Sequence, residues 1–213
     1  MNNFDDAVRK LYCKVIYDIG ANKGKWSDLY RRKFPNATLY SFEANPKLNP
    51  KSAHKNFNVA LYHTDNVELD FYVNTMTHHT TGNSFYKENT KQYDNESSIK
   101  LKTKKLDTLV MEEDLKLPDA LKIDTQGAEL DILKGASKCV ENAKVIMTEM
   151  SLYEYNRNGA SFDEVNTFLR KADFVPVAIE EQHWFSNILL QLDIVYIKRT
   201  ENLKYFPNAK DLR

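Results

Sequence analysis

Three stretches of this chain carry acidic and glycine residues at the spacing of a ligand cleft. The first is VIYDIGANKGKW, Val15 to Trp26, where a β-branched run ends in Asp18 and glycines follow at Gly20 and Gly24 before helix-forming sequence begins. Strand, glycine turn and helix in that order bring backbone amides and a helix N-terminus against a nucleotide-like ligand. Gly20 is expected to allow the tight turn, Gly24 to let the helix lie close to whatever fills the cleft, and Asn22 to cap that helix. Asp18 stands at the mouth of the strand. There it either meets a ligand's ammonium or hydroxyls or fixes the turn by accepting backbone N–H bonds. The sequence G-A-N-K-G is not the G-x-G-x-x-G of a dehydrogenase, and no lysine followed by Ser or Thr closes it as a P-loop requires.

Glu43 ends the second apolar run, 25 residues beyond Asp18. That is close to the roughly 20-residue offset at which an acidic side chain bonds ribose hydroxyls in open α/β nucleotide sites. A charge inside the buried-looking SFEANP needs a partner. The third group is Asp124, Gln126, Gly127 and Glu129, directly after the short run Leu121 to Ile123, with Glu149 at the end of the next run. Carboxylates at the ends of successive strands face the same crevice as Gly20 and Glu43. Asp124 and Glu149 can serve as general base, as ligands of a hard, oxygen-preferring ion such as Mg, or with Gln126 and Glu129 as a hydrogen-bonding floor for a hydroxylated substrate. His78 and His79 have no ligand spacing to another His or Cys, so zinc is not expected, although His79 becomes a candidate base if its loop folds over the crevice. Tyr153, Tyr155, Trp184 and Phe185 are expected beyond strand ends, where aromatic faces stack on sugar rings or on a cofactor.

The elements that must position these groups alternate along the chain. Asn3 to Tyr12 reads as a short amphipathic helix covering one edge, followed by a strand at Val15–Ile19 and a helix at Lys23–Phe34 with Trp26, Leu29, Tyr30 and Phe34 inward. Ala37–Phe42 is a second strand, Pro46–Phe57 a polar helical stretch and Asn58–Leu61 a third strand. Strand and helix in alternation imply a parallel sheet with right-handed crossovers. Val67 to Val73 and Ile99 to Thr103 then alternate apolar and polar residues, the second as an edge strand with its lysines in solvent. Between them, Asn74–Ser98 is a long polar loop of the kind that is functional or disordered. Alternation resumes with helix Leu106–Leu115, strand Leu121–Ile123, helix Gln126–Lys134 and strand Lys144–Met150. A helix capped by Ser161 and Glu164 follows, then strands Phe174–Ile179 and Leu192–Ile197 joined by a loop holding His183 to Phe185.

At 213 residues and 42% hydrophobic content, one domain is expected: a core of about 15–199, an N-terminal helix at 3–12 and a peripheral tail at 200–213. Thirty basic residues balance thirty acidic ones, so bulk charge argues against nucleic acid or an acidic membrane as partner. Cys13 and Cys139 are far apart and read as small core residues of a reducing compartment. No apolar run approaches the roughly 18 residues of a membrane span, and the first residues lack a secretory pattern. A cytoplasmic protein is expected, and the oligomeric state is not legible.

VIYDIGANKGKW, LYSFEANP, TKKLDTL and above all LKIDTQGAELDILKGA, in this order from about Val15 to about Arg199, resemble the FkbM-type S-adenosylmethionine-dependent methyltransferases. The resemblance implies the Rossmann-like class I methyltransferase fold, an α/β architecture with a seven-stranded, mostly parallel sheet, helices on both faces and an antiparallel last strand. It implies S-adenosylmethionine as cofactor, with Asp18, Gly20, Asn22 and Gly24 around its methionine part, Glu43 on its ribose, Asn58 and Ala60 near its adenine, and Asp124 beside it. Ser84 falls where the family often has a serine pair. Thr125 and Gln126 depart from the family's more usual D-V-E-G and remove one carboxylate. The expected activity is O-methylation of a hydroxyl on a sugar, glycan or other polyhydroxylated small molecule. The alternatives are a methyltransferase acting on RNA or protein, and a catalytically silent nucleotide-binding scaffold.

Overall fold

Val15–Ile19, Ala120–Ile123 and Val145–Ser151 are apolar runs without a solvent-facing stripe, and strands of that kind are stable only between two layers of helices. The computed structural model, which describes residues 3–48, 50, 53–73, 82–89 and 97–201, places them side by side at the centre of a sheet. In chain order the first half comprises α1 (Phe4–Lys10), β1 (Val15–Ile19), α2 (Lys25–Lys33), β2 (Thr38–Glu43), β3 (Lys55–Asn58), β4 (Ala60–Leu61), β5 (Glu68–Val73), β6 (Ser97–Lys104) and α3 (Leu106–Glu112). There follow β7 (Ala120–Ile123), α4 (Glu129–Lys134), α5 (Ser137–Asn142), β8 (Val145–Ser151), α6 (Phe162–Lys171), β9 (Phe174–Phe185) and β10 (Ile188–Lys198).

Seven strands pair in the order β3-β2-β1-β7-β8-β10-β9. The first five are mutually parallel, and β10 runs antiparallel to both β8 and β9. The seven-stranded, mostly parallel sheet with a reversed last strand is therefore present. Its chain order reverses between β1 and β7, the kind of switch point where open α/β sheets bind ligands beyond the strands' carboxyl ends.

Alternate residues of each strand feed two core clusters. Ile16, Leu39, Ala120, Val145, Met147, Val195 and Ile197 meet Phe4, Ala7, Val8 and Tyr30 of α1 and α2 on one face. Tyr17, Ile19, Leu121, Ile123, Ile146 and Met150 meet α3 to α6 on the other. Asn3 caps α1 by accepting from the Asp6 amide, as expected, but α1 lies over the middle of a sheet face and not at an edge. Both cysteines are buried and free, as expected of small core residues.

Several elements differ from the sequence reading. Asn22 does not cap α2; that position is Gly24, at a φ of 77°. The stretch Pro46–Phe57 is not a helix: its described residues turn and bend, and β3 already occupies Lys55–Asn58. As the outermost strand, β3 needs little apolar sequence, which is why polar residues hid it. Strand β6 was expected at an edge but is the centre of a second, three-stranded sheet, β4-β6-β5. Two of its lysines are answered from neighbouring elements, Lys100 by Asp70 at 2.9 Å and Lys104 by Glu112. His183, Trp184 and Phe185 belong to β9, which runs on to Phe185 before a tight turn at Ser186. The capping box of α6 forms as expected between Ser161 and Glu164. No helix among the described residues is long and apolar enough to cross a membrane.

Candidate functional site

A cavity of about 390 Å³ opens along the carboxyl edge of the sheet, on both sides of the β1/β7 switch point. Gly20 and Asn22 reach it from β1, Glu43 from β2, Asp124 and Gln126 from β7, Glu149 from β8, and Glu181, His183, Gln191 and Asp193 from the β9–β10 hairpin. Phe42, Val59, Leu61, Phe71, Phe85 and Ile132 supply its apolar wall. Glu43 stands on the β2 side of the switch point, and the carboxylates of β7, β8, β10 and β9 form an acidic end on the other.

The turn after β1 is tight because two strands converge there. Gly20 has a φ of 78°, and a Cβ on it would fall 1.8 Å from the backbone oxygen of Asp124. The Gly20 and Ala21 amides donate to the Phe42 carbonyl at 3.0 and 3.1 Å, tying the turn to β2. Asn22 follows at a φ of 49°, and its amide donates to Glu43 Oε2 at 2.6 Å, while the Asn45 amide donates to Oε1 at 2.8 Å. Each Glu43 oxygen keeps a lone pair for the cavity. Burial pushes the Glu43 carboxyl up, against the downward pull of those two amides and of Lys122.

Beneath the turn lies a buried charge network. Lys122 Nζ stands 3.2 Å from Asp18 Oδ1, 3.3 Å from Asp124 Oδ2 and 3.3 Å from the Gly20 carbonyl, and Ser27 Oγ donates to Asp18 Oδ2 at 2.6 Å. Burial alone would lower Lys122, but Asp124 and Asp18 outweigh it and hold the ammonium above its ordinary value. Lys122 was missed in the sequence. The available signal was a lone lysine in an apolar four-residue strand, and the register now sets it opposite Asp18.

At the acidic end Gln126 is a spacer. Its Nε2 donates to Glu149 Oε2 at 2.7 Å and to Asp124 Oδ1 at 3.2 Å, so an amide occupies the gap between the two carboxylates that the sequence suggested as joint ligands of a metal. Glu149 is raised well above the ordinary carboxylate range by burial, and further by Asp124, Glu129 and Asp193. His183 and Asp193, both missed in the sequence, sit beside it. Asp193 is the one charge in LLQLDIVYI, which is the signal that was available. Asp193 also draws the His183 imidazole above its ordinary value.

Of the residues singled out from the sequence, Gly20, Asn22, Glu43, Ser84, Asp124, Gln126 and Glu149 line the cavity. Ser84 is engaged in shaping the wall, donating to the Thr125 carbonyl at 3.2 Å and accepting from the Tyr86 amide at 3.1 Å. The others lie elsewhere. Asp18 is fully buried under the turn and supports it, and Gly24 serves the start of α2. The Asn58 side chain sews the following loop to Glu43, Asn45 and Leu48 through their carbonyls, and Ala60 is buried between the cavity residues Val59 and Leu61. Glu129 is folded back to accept from the Thr125 and Gly127 amides at 2.8 and 2.9 Å, and burial pushes it up to about 7. Tyr153 and Trp184 are exposed, and the Tyr155 hydroxyl donates to Glu88, so none of these three aromatics lines the cavity. His79 lies outside the described residues.

S-Adenosylmethionine has a flat aromatic base, two ribose hydroxyls and a charged amino-acid end. A cavity with an apolar wall, one carboxylate held by two amides and a glycine turn matches those needs. A model of the methyltransferase FkbM domain matches residues 18–176. The chain is 29% identical over 166 residues to the 2-O-methyltransferase NoeI of Sinorhizobium fredii (strain NBRC 101917 / NGR234), over 66% of this chain and 65% of that protein, so it spans slightly less than two thirds of that relative's length. Similar solved structures include the plantazolicin methyltransferase BpumL in complex with monoazolic desmethylPZN analog and SAH, at a TM-score of 0.47 and 10% identity over 91% of this chain and 82% of that one. Another is the precorrin-6y C5,15-methyltransferase from Geobacter metallireducens GS-15, at 0.43 and 13% over 90% and 85%.

Proposed function

The chain belongs to the methyltransferase FkbM family, and on that premise we propose that it transfers the methyl group of S-adenosylmethionine to a hydroxyl of a sugar, glycan or other polyhydroxylated small molecule. The observation that carries this reading is one cavity whose wall combines apolar residues with Glu43 on β2 and, across the switch point, Asp124 on β7 and Glu149 on β8. A relative named as a 2-O-methyltransferase supports oxygen as the acceptor.

Bound S-adenosylmethionine supplies a sulfonium methyl that is already activated. The chain must then hold the partners in line and keep water out. Glu43, fixed by the Asn22 and Asn45 amides, accepts from the ribose hydroxyls, and Phe42, Val59, Leu61 and Ile132 enclose the adenine. At the other end Glu149 holds the acceptor hydroxyl, with Gln126 fixing the carboxylate that does so. The hydroxyl must lose its proton as the new bond forms. In this reading Asp124, whose side chain is 40% exposed, takes that proton and passes it to solvent.

Incubation of the protein with methyl-labelled S-adenosylmethionine and a panel of mono- and oligosaccharides, followed by mass spectrometry, tests the proposal. Label in a methyl ether of a sugar is the expected result. Label only on amines, protein or RNA would overturn the choice of acceptor.

A further inference from the structure

We infer that Glu149, His183 and Asp193 form a binding site for a first-row divalent transition-metal ion of the Mn²⁺ or Zn²⁺ kind. The site itself does not depend on the proposed function; only the ion's role beside the acceptor hydroxyl rests on that reading.

The strand register creates the need for a cation. Asp193 on β10 stands opposite Glu149 on β8 and, on its other side, opposite Glu181 on β9. Three carboxylates thus sit abreast on three adjacent strands, and like charges in directly opposed positions destabilise a sheet. Burial sharpens the cost, because a carboxylate out of water needs a compensating charge. The Glu149 side chain is only 7% exposed. The buried Lys122 ammonium is committed to Asp18 and Asp124.

The atoms converge. One ligand atom from each of Glu149, His183 and Asp193 lies within 4.8 Å of the other two. His183 Nε2 is 3.9 Å from Glu149 Oε1 and 3.6 Å from Asp193 Oδ1, beyond hydrogen-bond distance of either, though within ion-pair reach when the imidazole is protonated. Both His183 Nε2 and Asp193 Oδ1 are sealed from solvent with no hydrogen-bond partner among the described residues. A buried acceptor and an imidazole nitrogen left this way are the exception in folded proteins, and an ion between them supplies what each lacks. The second oxygen of Glu149 is held by Gln126 Nε2 at 2.7 Å, which leaves Oε1 toward the imidazole. Such outer hydrogen bonds are how metal-binding carboxylates are oriented.

The donor set also selects the ion. One imidazole and two carboxylates suit Mn²⁺, Fe²⁺, Co²⁺ or Zn²⁺ better than Mg²⁺ or Ca²⁺, which favour oxygen alone. Three protein ligands leave a coordination position open to the cavity. An acceptor hydroxyl placed there would have its pKa lowered, so that its proton leaves more readily to Asp124.

Titration of metal-free protein with ZnCl₂ by calorimetry, and with MnCl₂ by the loss of the free-ion electron paramagnetic resonance signal, tests the site without cofactor or acceptor. One ion per chain is expected. His183→Ala and Asp193→Asn should each weaken its binding by about 100-fold or more, since even an outer-shell loss costs 10- to 100-fold. His63→Ala, at a surface histidine paired with Asp131, should leave it unchanged. Circular dichroism and binding of S-adenosylhomocysteine check that each variant is folded. No binding of either ion at millimolar concentration, or binding that survives both His183→Ala and Asp193→Asn in folded protein, would overturn the inference. A positive ion titration with no sugar methylation would sink the proposed function and leave the metal site standing.

Discussion

Lys122 decides the electrostatics of the cleft. It lies opposite Asp18 in the β1–β7 register and two residues before Asp124, so one ammonium neutralises a carboxylate that is wholly buried and another at the cavity wall. The Gly20 carbonyl takes its remaining reach, which ties the charge network to the turn that faces the ligand. Breaking a buried ion pair from one side leaves an uncompensated charge, a loss of about 3–5 kcal/mol. Lys122→Met is therefore expected to lower the thermal midpoint by roughly 10 °C in a chain of this size, and to weaken binding of S-adenosylhomocysteine with it. Differential scanning calorimetry checks the first part. A midpoint within a few degrees of the parent would mean that Asp18 is held by Ser27 and its surroundings without help.

Among the elements, the turn after β1 has the least freedom. Gly20 combines a left-handed backbone with an approach to the Asp124 carbonyl that no Cβ could share. Gly20→Ala must move one of the two strands, and overpacking with a left-handed alanine is expected to cost about 3 kcal/mol. Because the strands that would part are the two that frame the cavity, cofactor binding should fall by more than stability does. Chemical denaturation beside a calorimetric titration separates the two effects. Unchanged binding in a folded Gly20→Ala protein would show that the turn does not frame the cofactor. The β9–β10 hairpin is the opposite case. It reaches past the sheet with exposed Trp184, Phe185 and Ile188, yet its inner residues Glu181, His183, Gln191 and Asp193 close the acidic end of the cavity.

For the molecule as a whole, the order of strands in the sheet explains why residues distant in sequence share one cleft. Glu43, Asp124 and Glu149 sit at or near the carboxyl ends of β2, β7 and β8, and Glu181 and Asp193 face each other within the β9–β10 hairpin beside them. Much of this was legible in the sequence. Buried strands such as Val15–Ile19 announce themselves by continuous apolarity, and Glu43 by its offset from the glycine turn. Polar stretches of strand are not legible: β3 lies at an edge, and β9 shows itself only over the apolar Phe174–Ile179, its exposed continuation to Phe185 leaving no apolar signature. His183 lies in that continuation, so nothing in the sequence announces its convergence with Glu149 and Asp193, which only the strand register produces. Asp18 was legible as important but not in its task, because a carboxylate at a strand end looks the same whether it meets a ligand or a buried lysine.

The central claim is that one crevice holds the cofactor at Glu43 and the acceptor at Glu149. Calorimetric titration of S-adenosylhomocysteine into the parent protein, Glu43→Ala and Glu149→Gln tests it most directly, with methyl transfer measured alongside. The account predicts one site per chain, loss of binding by about 100-fold or more in Glu43→Ala through two lost charge-assisted hydrogen bonds, and near-parental binding with slowed transfer in Glu149→Gln. Equal loss of affinity in both folded variants, or undiminished affinity in Glu43→Ala, would contradict it.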